Sequence, residues 1–224
     1  MYRLIILILL IIGVELRMEG EELLDKPSST FENSFTIDTI SDALFSRMHG
    51  LSYPEGCTVD RSDLRHLRIK HYDAEGQEHE GELVCNKKIA ADLIDIFRQL
   101  HAARYPIEHV SLIDDYGAND ERSMTANNTS CFCFRVVEGS KKLSKHALGL
   151  AIDINPLYNP CVRRKSDGSV LVQPAAGKRY TNRKRQFTYK IVEADLCHRL
   201  FLEHGFTWGG AWRSLKDYQH FEHP

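Results

Sequence analysis

The sequence predicts an α+β fold with a mainly antiparallel sheet. Three observations lead there: period-two apolar patterns, two stripes at helical spacing, and the order strands, helix, strands, helix, strand with turns between. Leu67, Ile69 and His71 alternate with Arg68, Lys70 and Tyr72, Asp73-Ala74-Glu75-Gly76 reads as a turn, and residues 82–85 are extended again. This is a hairpin pattern. Asn86 is placed to cap a helix over residues 87–104, striped by Ile89, Leu93, Ile96, Phe97 and Leu100, with Pro106 beyond its end. Val110, Leu112 and Ile113 predict a strand, as do Phe132, Phe134 and Val136. From Leu150 the pattern alternates once more. Leu150, Ile152 and Ile154 take one face, and Ala151, Asp153 and Asn155 the other. A second helix is predicted over residues 192–204, with Glu193 and Asp195 in its first turn and Gly205 as its C-terminal cap.

The chain of 224 residues suits one medium domain, and 42% apolar with 27% charged residues is a globular composition. Lys and Arg total 29 against 31 Asp and Glu, which excludes the global basic field of a nucleic-acid binder. Tyr2 and Arg3 precede nine unbroken apolar residues, Leu4 to Ile12. That run is far short of the ~18–20 residues of a membrane span, so no stable span is expected. Residues 1–16 read as a secretory signal peptide; a packed N-terminal helix and an uncleaved anchor are the alternatives. Residues 17–38 read as a polar linker and residues 39–224 as the folded domain. The six Cys are an even set, read as disulfides or buried thiols, and disulfides would agree with export. Cys131 and Cys133 form C-x-C, which is not the spacing of a structural zinc knuckle. Residues 161–190 carry nine Lys and Arg against one acid, Asp167. Such a segment either attracts an anionic ligand or is a solvated excursion.

The chemistry is concentrated in two stretches. In the first, Ser144 to Asn155, His146 precedes Gly149 and the alternating strand that carries Asp153. Gly149 lets the backbone turn, so an imidazole and a carboxylate can meet, and both are ligands for Zn²⁺. In the second, Trp208 to His223, His220 is a candidate third ligand and Asp217 lies three residues before it. Three protein ligands leave one position for a water whose pKa the metal lowers toward ~7, and a nearby carboxylate then suffices as base. By spacing alone, a core His and a strand-end Asp in ordinary hydrogen bonds explain the same residues. His71, His101, His198 and His204 fall on periodic segments and read as surface or core residues.

Ser144 to Asp153 resembles the S-x-H-x-x-G-x-A-x-D signature of the LAS-type zinc D-alanyl-D-alanine carboxypeptidases, peptidase family M15, and matches all five fixed positions. The C-terminal W-G-G-x-W followed by D-Y-x-H-F is similar to the second signature of the branch with VanY-like carboxypeptidases and L-alanyl-D-glutamate endolysins. The resemblance extends over residues 64 to 223. It implies the LAS (Hedgehog/DD-peptidase-like) fold, a small central antiparallel sheet flanked by helices. It implies His146, Asp153 and His220 as zinc ligands and Asp217 as general base. Relatives also bind the substrate carboxylate with an Arg upstream of the first His, for which Arg135 and then Arg122 are the candidates, a surface ion pair being the plain alternative for each. A guanidinium suits that role because it makes two parallel hydrogen bonds to a carboxylate. Ser144 is expected to hydrogen-bond near the site. Trp208 and Trp212 are expected either as a cleft wall or as core. The implied activity is a Zn²⁺-dependent, exported, monomeric peptidase acting on peptidoglycan stem peptides. Removal of terminal D-Ala is preferred over L-Ala–D-Glu endopeptidase cleavage, with a non-catalytic zinc-containing wall-binding module as the alternative of another class. A carboxypeptidase needs a cation at the terminal carboxylate, whereas an endopeptidase needs an open channel there. The sequons at Asn127 and Asn128 are read as accidental.

Overall fold

The computed structural model of the chain describes residues 34–137 and 141–224. The expected signal peptide and the linker as far as residue 33 lie outside the described residues. No helix among the described residues is long and apolar enough to cross a membrane.

Strand β1 (Thr36–Thr39) is followed by helix α1 (Asp42–Met48), strands β2 (Leu64–Tyr72) and β3 (Glu78–Asn86), and helix α2 (Ala90–Ala102). The three strands form an antiparallel sheet in the order β1-β2-β3. Residues 36–38, read from sequence as the linker's end, are thus part of the folded sheet, and Phe35 is buried in the core beside them. The hairpin register places Leu67 opposite Leu83 and Ile69 opposite Gly81, so the apolar residues of both strands share one face. That face packs against the buried stripe of α2: Leu93, Ile94, Ile96, Phe97 and Leu100. The α2 stripe is the one seen in the sequence, but the helix starts later. Asn86 accepts from the Lys88 amide and so caps a turn that leads into the helix.

Strand β4 (His109–Val110), helix α3 (Asp120–Thr125) and strand β5 (Asn128–Thr129) follow, with β4 and β5 paired in parallel. Phe132, Phe134 and Val136, predicted as a strand, form no regular strand, although Val136 makes a single bridge to Leu143. The rest of the chain builds two small antiparallel sheets. One has β6 (Ala151–Asp153), β11 (His220–Glu222) and β9 (Thr207–Trp208) in the order β6-β11-β9. The other has β10 (Leu215–Asp217), β7 (Cys161–Arg164) and β8 (Val170–Gln173) in the order β10-β7-β8. Helix α4 (Leu196–Glu203) is capped by Asp195, whose side chain accepts from the His198 amide, and Gly205 beyond it has φ +80°. It buries Leu200 and Phe201, and Phe201 stacks on Phe221 of β11 with ring centroids 4.2 Å apart.

The architecture is therefore α+β and antiparallel in the main, but its strands are divided among several small sheets rather than gathered in one central sheet. All six cysteines are free thiols, five of them buried, so the buried-thiol reading holds and the disulfide argument for export falls away. Asn127 and Asn128 are each 1% exposed and tied into the packing, so their sequons are closed to modification in the folded protein.

Candidate metal centre and catalytic cleft

The first signature folds as a tight 3-10 turn, His146–Leu148, that runs into β6. Ser144 is buried, and its Oγ accepts from the His146 amide at 3.1 Å, which holds the histidine at the head of the turn. Gly149 closes the turn at φ +66°. A Cβ there would lie 2.6 Å from the Asn86 backbone nitrogen, which itself donates to the Gly149 carbonyl at 2.8 Å. Only glycine meets both demands, the positive φ and the close approach to β3. On β6, Asp153 lies directly opposite His220 of β11, so the strand pairing brings the two signatures together.

The donor atoms converge. His146 Nε2 is 3.2 Å from His220 Nδ1 and 3.3 Å from an Asp153 oxygen, and the other Asp153 oxygen is 3.1 Å from His220 Nδ1. Ligands ~2.0–2.1 Å from a tetrahedral zinc are about 3.3–3.4 Å apart, so the triangle has the right size. The tautomers fit as well. His146 donates from Nδ1 to the Cys131 carbonyl at 2.7 Å, and His220 Nε2 lies 3.0 Å from a Glu222 carboxylate oxygen. Each ring thus ties its outer nitrogen to an acceptor and turns the bare one inward, the outer arrangement of metal-bound histidines. The electrostatics agree. Against the effect of burial, Asp153 and Glu222 lift His220 to about 10, which favours a positive charge at the inward Nδ1, a proton or a metal ion in its place, and the imidazoles hold Asp153 far below the carboxylate range. This pocket of carboxylates favours a cation among them. Two imidazoles, one carboxylate and their inward lone pairs fit Zn²⁺.

Asp217 reaches the same cleft from the other sheet. The D-Y-Q-H segment crosses between sheets: Asp217 ends β10, opposite Cys161 of β7, and His220 begins β11. Burial, helped by the negative Asp153 and opposed by His220, lifts the Asp217 carboxyl to about 6. Its Oδ1 is buried without a hydrogen-bond partner among the described residues. The cleft between the sheets has a volume of about 340 Å³ and takes in Arg135, Ser144, Trp212, Asp217 and the three donor residues.

The other sequence candidates separate. Arg135 lines the cleft, but its guanidinium is paired with Asp120 at 2.6 Å. Arg122 does not reach the cleft. It is exposed on α3, whose Asn119 cap takes the Arg122 amide, and it borders a separate depression beside Tyr116. Trp212 packs 5.3 Å from the His220 ring and walls the cleft. Trp208 is core, stacked on Phe221, with its indole N–H donating to the Tyr218 carbonyl. Of the nine Lys and Arg in the 161–190 segment, only Arg163 lines the cleft. Arg183 turns inward and donates to the Tyr158 and Ile191 carbonyls and to Asn159, so it is a structural residue and not a surface cation. Sequence reasoning missed Glu222 and Cys161. Glu222 had a signal, since residues two apart on a strand share a face and it follows His220 by two. Cys161 had none.

No curated protein and no solved structure matches the chain. Residues 138–223, which carry the three donor residues and Asp217, match the family model described as D-alanyl-D-alanine carboxypeptidase, a likeness to peptidase family M15 that spans this part of the chain.

Proposed function

We propose that the chain is an exported zinc-dependent carboxypeptidase that removes the terminal D-Ala from peptidoglycan stem peptides. The observation that carries this reading is the triangle of His146, Asp153 and His220 with Asp217 entering the same cleft from the opposite sheet. When bound there, Zn²⁺ would supply the Lewis acidity that acidifies a water and polarises a carbonyl. The remaining work falls to the chain. Asp217 takes a proton from the attacking water and delivers it to the departing amine nitrogen, so a C–O bond forms as the C–N bond breaks. Its unpartnered Oδ1 leaves that carboxylate free for the transfer. Ser144 and the Cys131 carbonyl hold His146 in one tautomer and one orientation. Trp212 covers one side of the donor residues.

The test is mass spectrometry of a pentapeptide muropeptide after incubation with the protein, with and without chelator. Loss of one alanine, blocked by chelator and restored by Zn²⁺, is the expected result. Asp217→Asn should lower kcat by about 10²–10⁴-fold with zinc content unchanged. Cleavage behind the first L-Ala would instead make the protein an endopeptidase. An unaltered substrate with zinc bound would point to a wall-binding module.

A further inference from the structure

The cleft contains several cations, and the structure has already assigned partners to most of them. Arg135 is held by Asp120 at 2.6 Å, and Lys145 donates to the His223 carbonyl at 2.9 Å. Lys142 is likewise engaged. Arg163 differs. It lines the cleft, it is half-buried, and its side chain has no hydrogen-bond acceptor or carboxylate partner among the described residues. A half-buried guanidinium without an acceptor forgoes the charge-assisted hydrogen bonds it is built to make.

Its place in the sheet gives this cation a direction. Arg163 and Cys161 are two residues apart on β7, so they share the face that lines the cleft. Cys161 lies opposite Asp217 on β10, and Arg163 lies opposite Leu215. From the base, the cleft wall therefore advances by one strand period, about 7 Å, to the arginine. In a peptide cut one residue from its end, the terminal carboxylate follows the scissile carbonyl by one residue, about 4 Å. The two lengths are compatible for a long, flexible side chain. Charge points the same way. The donor end of the cleft is crowded with Asp153, Asp217 and Glu222, which repel an incoming carboxylate, and Arg163 is the attractive end.

We propose that Arg163 is the specificity-determining residue of the cleft and binds the terminal carboxylate of the substrate, so that the cleft is built for a peptide's free C-terminus and not for a continuing chain. The assignment rests on the peptidase reading above. It moves the carboxylate-binding role from Arg135, which is already paired, to an arginine between the second and third donor residues of the chain. An endopeptidase substrate would present a neutral amide at this point and leave Arg163 without its acceptor.

The test uses the zinc-loaded full chain, two variants and two substrates. Arg163→Met removes the charge at similar length, and Arg163→Lys keeps the charge but loses the two-pronged geometry. The substrates are an N-acylated peptide ending in D-Ala-D-Ala and its C-terminal amide. The wild type should prefer the acid. Arg163→Met should lower kcat/KM for the acid by about 10–100-fold and leave the poor cleavage of the amide unchanged, with melting temperature and zinc content as in the wild type. Arg163→Lys should recover part of the loss. Equal loss on acid and amide, or no loss on either, would overturn the proposal while the peptidase reading stands. Cleavage only behind L-Ala would overturn it together with the carboxypeptidase reading. Calorimetric binding of both peptides to Asp217→Asn protein gives a readout without turnover. Weaker binding of the acid alone in the added Arg163→Met variant would support the proposal even if the wild type proved inactive. Equal binding in that variant would overturn it.

Discussion

At the scale of single residues, the donor set is defined as much by what stands behind it as by the donors. Glu222 is the clearest case. Its carboxylate, 3.0 Å from His220 Nε2, fixes which ring nitrogen faces the cleft. Glu222→Gln keeps the size but replaces a charged acceptor with an amide that can turn its NH₂ toward the ring. The expected result is a zinc affinity lower by about 10–100-fold, measured by competition with a chromophoric chelator, with the fold intact. Unchanged affinity would mean that the strand pairing with Asp153 orients His220 by itself. Most of the candidate site, as a grouping of residues, was legible at this scale. His146, Asp153, His220 and Asp217 stand in two compact signatures, where residue type and spacing survive in the sequence. The exclusion of Arg122 and the pairing of Arg135 with Asp120 were not legible, because each depends on which way a short element faces.

At the scale of elements, the site depends on a crossing between sheets. Gly209 stands where that crossing is tightest. A Cβ there would lie 2.7 Å from the Asp217 carbonyl oxygen, 2.8 Å from the Asp217 Cβ and 3.3 Å from the His220 Cβ. The nearest of these atoms is backbone and cannot swing aside, so Gly209→Ala must force the 209 turn and the Asp217 and His220 strand ends apart. Overpacking of this kind costs about 1–3 kcal/mol. For a chain of this size that is a drop in melting temperature of about 2–4 °C per kcal/mol. Activity should fall by more than the stability loss explains, because Asp217 and His220, the proposed base and a proposed metal ligand, are both displaced. A variant with full activity would show that the strand ends yield without moving either side chain. The element scale also shows why part of the fold escaped the sequence. β2, β3 and α2 are long enough to display a period, and they were found. Strands of two to four residues, such as β4, β5, β9 and β10, display none. Phe132, Phe134 and Val136 display a strand period without regular strand pairing.

At the scale of the whole molecule, stability should depend on pH through a residue far from the cleft. His71 is buried on β2, its Nδ1–H donates to the Ile107 carbonyl at 2.8 Å, and its ring stacks on His79 at 5.4 Å. Burial, with His79 and His109 adding repulsion and Asp73 and the Ile107 carbonyl opposing, lowers His71 from 6.5 to about 4. The folded state therefore keeps this ring neutral where the unfolded chain would protonate it. Because the unfolded state binds the extra proton, the fold has its full stability from this group above pH ~6.5 and loses it as the pH falls toward 4. A shift of that size corresponds to about 3 kcal/mol at most. The acidic side chains act in a different window. Glu78, hydrogen-bonded by Lys70 and His101, and Glu82, by His66 and Arg47, are both held down to about 2. Their contribution is complete above pH ~4.5 and is lost only below it, as the pH falls toward 2. Denaturant titrations between pH 6.5 and 4.5 stay above the window of Glu78 and Glu82, and comparison with a His71 variant separates this imidazole from other groups that titrate there, Asp217 included. His71→Gln retains a donor for the Ile107 carbonyl but cannot titrate. Across that interval the wild type should lose stability steadily and the variant should lose less, the gap widening as the pH falls. Parallel curves would show that the His71 ring takes up its proton inside the folded protein at little cost.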